Sequence, residues 1–271
     1  MKQIAVITGG AGEIGLATAK LLGKDHHLVI CDISQKRLDA ASKELNALGL
    51  SFDSTLCDIT ESDSVDELVN MATDLGHIAC VVNAAGVSPR MAEPETILRV
   101  NALGAVNINE AFFQVIRKNF VMVNVASMAA HLIPAWATPE GAYPYALTAP
   151  DEFIKKVLRR CRLVPKSTSR RGLAFAISYN FVVWYSKMNA AKFGQRDARV
   201  LSVSPGIVDN KMGHLEEKTG AADLQRNTPL RRACTVDEIA ELLAFMASDK
   251  AGFITGTDIL CDGGFVSARS E

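Results

Sequence analysis

Short, nearly continuous apolar runs alternate along this chain with longer stretches in which apolar residues fall three and four apart. That alternation predicts βαβ units feeding a parallel sheet. The runs predict strands over Gln3–Thr8, His27–Asp32, Phe52–Asp58, Ala79–Asn83, Phe120–Ala126, Arg199–Ser204 and Ile259–Asp262. The stretches between them predict helices over Ile14–Gly23, Gln35–Leu48, Ser62–Leu75 and Pro94–Arg117, and a long one over Phe175–Lys192. Near the C-terminus, Thr235 followed three residues later by Glu238 reads as a capping box opening a helix that carries Ile239, Leu242 and Leu243. The prediction is a single α/β domain over residues 1–271, doubly wound and Rossmann-type, with a seven-stranded parallel sheet.

One segment breaks the alternation. Residues 131–172 hold five of the nine prolines, Pro134, Pro139, Pro144, Pro150 and Pro165, around one helical piece, Asp151–Arg162. A stretch this long without regular structure is either a functional lid or a linker. Its Leu132, Ile133, Trp136, Tyr143 and Tyr145 favour a lid.

Composition narrows the partners. The 271 residues are 48% hydrophobic, enough for a full core, and the formal charge of −1 with 29 basic residues spread along the chain argues against a nucleic-acid partner. The one basic cluster, Lys155 to Arg171, reads as a solvated helix face with its loop. The six cysteines, Cys31, Cys57, Cys80, Cys161, Cys234 and Cys261, lack metal-ligand spacing and read as reduced thiols. No run reaches the roughly 18 apolar residues of a membrane span, and the chain opens on a strand-like run without a leader pattern. The expectation is a cytoplasmic protein with no membrane partner and no metal.

The chemistry starts directly after the first strand. Thr8-Gly9-Gly10-Ala11-Gly12-Glu13-Ile14-Gly15 contains G-x-G-x-x-G at Gly10, Gly12 and Gly15. A tight turn, a close approach of backbone to pyrophosphate and close helix-on-strand packing each call for a residue without Cβ, and the helix N-terminus offers amide donors to the anion. Asp32 ends the second strand 17 residues beyond Gly15. A carboxylate there accepts from ribose hydroxyls and repels a 2′-phosphate, which predicts NAD over NADP. The residues expected at this end of the cofactor are Gly9, Gly12, Glu13, Ile14, Gly15, Asp32 and Ile33.

From here the chain resembles the short-chain dehydrogenase/reductase family over nearly its whole length outside 131–172. The matching pieces fall in order: Thr8-Gly9 with Gly15, Cys57-Asp58-Ile59, Asn83-Ala84-Ala85-Gly86, Asn101, Ser127, Ser204-Pro205-Gly206-Ile207, and Gly256-Thr257 with Cys261-Asp262-Gly263-Gly264. The resemblance implies that Asp58 and Ile59 meet the adenine. It also implies that Asn83, Ala84, Ala85 and Gly86 support the sheet and line the cofactor, and that Pro205, Gly206 and Ile207 flank the nicotinamide. Glu13 departs from the family pattern, which has glycine there, and a carboxylate near pyrophosphate is expected to point outward.

The resemblance further implies a serine that orients the carbonyl, a tyrosine that exchanges the proton and a lysine four residues on that lowers the tyrosine pKa. Ser127 and Asn101 are present. Ser186-Lys187 does not complete the set, since Val183 stands four before Lys187 and Tyr185 only two. Ala174-Phe175-Ala176-Ile177-Ser178-Tyr179 fits better, 24 residues separating Phe175 from Arg199. Phe175 then holds the tyrosine position and Tyr179 the lysine position. Phenylalanine has no titratable proton. Three readings stay open: an oxidoreductase with a substituted dyad, an enzyme in which Tyr179 acts as the acid with Ser127 and Asn101, and an NAD-binding regulatory protein without turnover.

The lid aromatics suggest a large apolar alcohol or ketone, and the resemblance points to members acting on hydroxysteroids and other bulky carbonyls. The stretch Met188 to Glu217 after the long helix, with Asn210 to Leu215 as its mobile part, is expected to close the other side of the cleft. Phe181, Val182, Trp184 and Tyr185 make the long helix apolar on more than one face, which predicts packing against its copy in a homodimer or homotetramer.

Overall fold

Strands buried on both faces must be covered by helices on both sides, and this requirement organises the molecule. A computed structural model describes residues 3–134, 137–216 and 228–269. It places β1 (Gln3–Thr8), β2 (His27–Asp32), β3 (Phe52–Leu56), β4 (His77–Asn83), β5 (Val121–Val125), β6 (Arg199–Pro205) and β7 (Asp258–Cys261) in one sheet. All neighbours are parallel, in the order β3-β2-β1-β4-β5-β6-β7. The order reverses between β1 and β4, and the crevice beyond the carboxyl ends of these two strands is where such sheets bind ligands.

One face of the sheet is covered by α1 (Glu13–Leu22) and α2 (Gln35–Ala47), with Leu22, Leu38 and Leu45 buried against Leu28 and Ile30. The other is covered by α3 (Ser62–Leu75), whose Val65 and Leu68 pack with Phe112 and Phe120. β3 stops two residues short of the predicted Asp58, because the Asp58 backbone N–H turns to the Ser64 hydroxyl at the head of α3 (3.1 Å).

The helix predicted over Pro94–Arg117 is interrupted. A first turn, α4 (Pro94–Ile97), runs through a π-helical turn (Leu98–Leu103) into α5 (Gly104–Val115). Such widened turns recur at functional sites, and this one carries Asn101.

Residues 131–172 are mostly helical. After a 3-10 turn (Met128–His131) and another (Glu140–Ala142) come α6 (Tyr145–Thr148) and α7 (Pro150–Cys161). The long helix α8 (Ser167–Met188) then begins eight residues before the predicted start, its first turns being polar and solvent-facing and so invisible to apolar periodicity. It ends at Met188, and a separate short helix, α9 (Ala190–Gly194), follows.

The lid expectation is corrected for Tyr143. This side chain is 0% exposed, its ring lies edge-on to Phe181 (5.3 Å) and Trp184 (5.4 Å), and its hydroxyl donates to Asn180 Oδ1 (2.6 Å). Tyr145 is a surface residue with the Lys156 ammonium over its ring. Trp136 lies outside the described residues. Phe153 and Val157 of α7 pack in the same cluster as Phe181, Val182 and Tyr185 of α8. The chain therefore covers Phe181, Val182 and Tyr185 of α8 itself, while Trp184 stays partly exposed and Met188 exposed.

Beyond β6 lie α10 (Lys211–Glu216), α11 (Val236–Ala247) and α12 (Phe265–Ala268). The predicted capping box is formed: Glu238 N–H donates to Thr235 Oγ1 (3.2 Å) and Thr235 N–H to Glu238 Oε2 (2.9 Å).

Candidate active site

The turn between β1 and α1 can be closed only by glycine. Gly9 has φ +61°, and a Cβ on it would stand 2.9 Å from the Ala84 carbonyl. A Cβ on Gly15 would stand 2.3 Å from Gly9 O. The β1 turn and the β4 loop are thus in contact, and the N-terminus of α1 opens into a cleft of about 390 Å³ between them. Twelve predicted residues line that cleft: Gly9, Gly12, Glu13, Ile14, Gly15, Asp32, Ile33, Asp58, Ile59, Ala84, Ala85 and Gly86. A glycine cradle at a helix N-terminus with a carboxylate at the next strand end fits a dinucleotide.

Asn83, Pro205, Gly206 and Ile207 stand apart from that lining. Asn83 lies behind it, accepting from the Thr8 hydroxyl (2.6 Å) and donating to Asn124 Oδ1 (3.4 Å). Asn124 in turn exchanges hydrogen bonds with Asn109 and donates to Ser186 Oγ (3.1 Å). This buried polar chain ties β1, β4 and β5 to α5 and α8. Pro205 ends β6, while Gly206 and Ile207 line a separate, smaller cavity of about 110 Å³.

Asp32 is 4% exposed. Its Oδ1 accepts from Ser34 N–H (3.0 Å) and from Arg37 (2.6 Å), and among the described residues no donor reaches Oδ2. Arg37 also lines the cleft and was missed in the sequence, because it sits on an exposed position of α2 with no pattern to mark it. Val87, Met91 and Val100 were missed likewise. Of the stretch expected to close the opposite side, Asn210, Lys211, Met212 and Leu215 line the cleft. The Glu13 carboxylate is solvent-exposed, and its Oε2 accepts from the Lys211 backbone N–H (2.8 Å) across the mouth of the cleft.

At the inner end, Tyr179, Gly86 and Asn101 meet. A Cβ on Gly86 would stand 2.6 Å from Tyr179 Oη and 3.3 Å from Asn101 Oδ1. Asn101 clamps the backbone of Val87 from both sides (2.9 and 3.0 Å) and donates to Ser178 Oγ (3.3 Å). Tyr179 is buried, and that burial pushes its phenol above the ordinary tyrosine range. The Phe175 ring packs edge-on against it (4.8 Å between centroids). Ser127 caps the 3-10 turn after β5, its hydroxyl accepting from Ala129 N–H (3.2 Å). That turn is fastened to α8 by Asn180, which donates to Ala130 O (2.9 Å), and to β7 by His131, bonded to Asp258 Oδ2 (2.8 Å). Among the described residues no helix is long and apolar enough to cross a membrane.

Comparison with known proteins agrees with this geometry. Residues 3–142 match the family model described as short chain dehydrogenase, and residues 170–266 match one described as Enoyl-(Acyl carrier protein) reductase. The chain is 31% identical over 276 residues to the short-chain dehydrogenase/reductase bsc3 of Alternaria brassicicola, covering 100% of this chain and 98% of the relative. It is 29% identical over 276 residues to the 3-oxoacyl-[acyl-carrier-protein] reductase FabG of Thermotoga maritima, covering 97% and 98%. A solved short-chain dehydrogenase/reductase from Serratia marcescens shares the fold with TM-score 0.77 at 22% identity, covering 97% of this chain and 98% of that one. With nicotinamide-cofactor cradle, sheet order and near-full-length relatives in agreement, this chain belongs to the short-chain dehydrogenase/reductase family of oxidoreductases.

Proposed function

We propose that this chain binds NAD(H) and faces a bulky apolar alcohol or ketone, with a proton relay disabled by Phe175 and Tyr179. The observation that carries this reading is the placement of Tyr179 Oη against Gly86 and Asn101, with the Phe175 ring edge-on beside it. When bound, a nicotinamide dinucleotide supplies or accepts a hydride. Reduction of a carbonyl also needs a proton donor at the substrate oxygen, and oxidation of an alcohol needs a base there. Phe175 offers neither. Tyr179 has a hydroxyl, but its pKa is raised by burial, whereas a tyrosine acting near neutral pH needs a cation that lowers it.

Asp32 supports NAD over NADP, since its free Oδ2 can accept from a ribose hydroxyl while its charge opposes a 2′-phosphate. Met91, Met212 and Leu215 at the cleft mouth support an apolar substrate. Six free cysteines suit the reducing cytoplasm. Assembly as a homodimer or homotetramer belongs to the same proposal.

The test is to measure NADH binding by fluorescence and hydride transfer to a panel of bulky ketones, for the unmodified protein and for the double variant Phe175→Tyr, Tyr179→Lys. The expected result is NADH binding by both, near-background turnover by the first and a gain of about a hundredfold or more by the second, the scale of a positioned acid. Comparable rates in the two proteins would overturn the assignment of these positions.

A further inference from the structure

Glu13 stands where the N-terminus of α1 offers its amides to an anion, and it is the one acidic residue in the first turn of that helix. Its carboxylate does two things there. It adds a negative charge to a cleft lined by Glu13, Asp32 and Asp58 against Arg37 and Lys211, with Arg37 already committed to Asp32. It also reaches across the mouth to accept from the Lys211 backbone N–H at 2.8 Å, joining the glycine turn to the first residue of α10.

A favourable helix-dipole interaction accounts for an acidic residue at this position in general, but it does not require a bond to the far wall of the cleft. From the charge and the bond together we infer that Glu13 is an affinity-determining residue. It holds the affinity for pyrophosphate-bearing ligands below what the glycine cradle alone would give, and it pins α10 across the cleft while no ligand is present. A pyrophosphate on the α1 amides would lie within the field of this carboxylate, whereas an uncharged nucleoside in the Asp32 end would not be repelled by it. This inference rests on the dinucleotide reading of the cleft.

Two variants separate the effects. Glu13→Gln removes the charge and keeps an oxygen acceptor for Lys211, while Glu13→Ala removes both. Binding of NADH, ADP-ribose and adenosine is measured by calorimetry, adenosine by competition. Exchange of the backbone amides over Lys211–Glu216 is followed in the ligand-free proteins. Both variants are expected to bind NADH and ADP-ribose about tenfold more tightly, the scale of one charge acting on a pyrophosphate across a hydrated cleft, with adenosine changed less than twofold. The gain shrinks at high salt. Amide exchange over α10 is expected to rise in Glu13→Ala and to stay near the unmodified rate in Glu13→Gln. If NADH binds the unmodified protein and the variants bind it equally or more weakly, the inference about Glu13 is overturned and the dinucleotide reading stands. If neither the unmodified protein nor the variants bind NADH, both fall.

Discussion

At the scale of single residues, Asp32 and Arg37 show how a charge pair tunes a site that one carboxylate would define too simply. Arg37 bonds Asp32 Oδ1 at 2.6 Å, while its own side chain is half exposed. In this arrangement the buried carboxylate lines the cleft and holds the guanidinium back; under the proposed dinucleotide reading it would face the ribose. Replacing Asp32 by Ala releases Arg37, which becomes free to pair with a 2′-phosphate. The expected outcome is weaker NADH binding, tighter NADPH binding and a preference shifted by at least tenfold, read by titrating both cofactors. Retention of the original preference would mean that Asp32 does not set it. Asp32 was legible in the sequence because a strand end after a glycine turn is a fixed geometric position. Arg37 was not, because a solvated arginine on an amphipathic helix looks like every other. Tyr179 stood out in the sequence by its spacing from Arg199, yet its contact with Gly86 depends on the packing of α8 against the loop after β4, which no local pattern encodes.

Among the elements, α8 departed furthest from its predicted bounds, whereas α7 fell within one residue of its own and differed in what it packs against. Prolines and aromatics in residues 131–172 read as a lid, but Tyr143 and Phe153 are 0% exposed and pack with Phe181. An amphipathic α7 with a long apolar neighbour forms a helix pair whose shared face needs both partners, and a window along the chain sees only one at a time. The strands were read closely because burial on both faces writes a continuous apolar run. The π-helical turn at Asn101 left no such trace. The pairing makes a prediction that separates core from lid. Phe153→Ala should cost about 3–5 kcal/mol of stability, and Tyr143→Phe, which deprives Asn180 of its donor, about 1–3 kcal/mol. Denaturant unfolding measures both losses. Cofactor affinity in the surviving folded fraction should be unchanged, and a selective loss of ligand binding without loss of stability would restore the lid reading.

For the whole molecule, the loops that carry chemistry are held to the sheet by polar groups whose charge state matters. Burial alone would raise the Asp258 pKa, but hydrogen bonds from His131, Ser202 and Ser204 outweigh it and leave the carboxyl below its ordinary value. A carboxyl with a lower pKa folded than unfolded contributes stability above the unfolded value, and that contribution disappears as pH falls through the folded one. Asp258→Asn should therefore cost about 1–3 kcal/mol near pH 7. The gap between variant and unmodified protein should narrow below about pH 4, as read from denaturant unfolding across pH. A gap independent of pH would remove the ionised carboxylate from this role.

Assembly is the remaining question at this scale, and it turns on which apolar surface is left over. α7 covers much of α8, the helix predicted to meet its copy, and leaves Met188 at its end 62% exposed. The most exposed large apolar side chain among the described residues is Phe253, fully exposed shortly before the edge strand β7, and Phe245 on α11 is 42% exposed. Burying a phenylalanine side chain contributes about 1.5–3 kcal/mol, and a two-fold contact counts each such residue twice. A homodimer or homotetramer that uses this edge should dissociate when Phe253 is replaced by Asp, which would place a charge at the seam. Sedimentation equilibrium at micromolar concentration is expected to give a multiple of 29.2 kDa for the unmodified protein and a lower multiple for Phe253→Asp. A monomeric mass for the unmodified protein would exclude assembly at that concentration. An oligomer indifferent to Phe253→Asp would place the interface on another face.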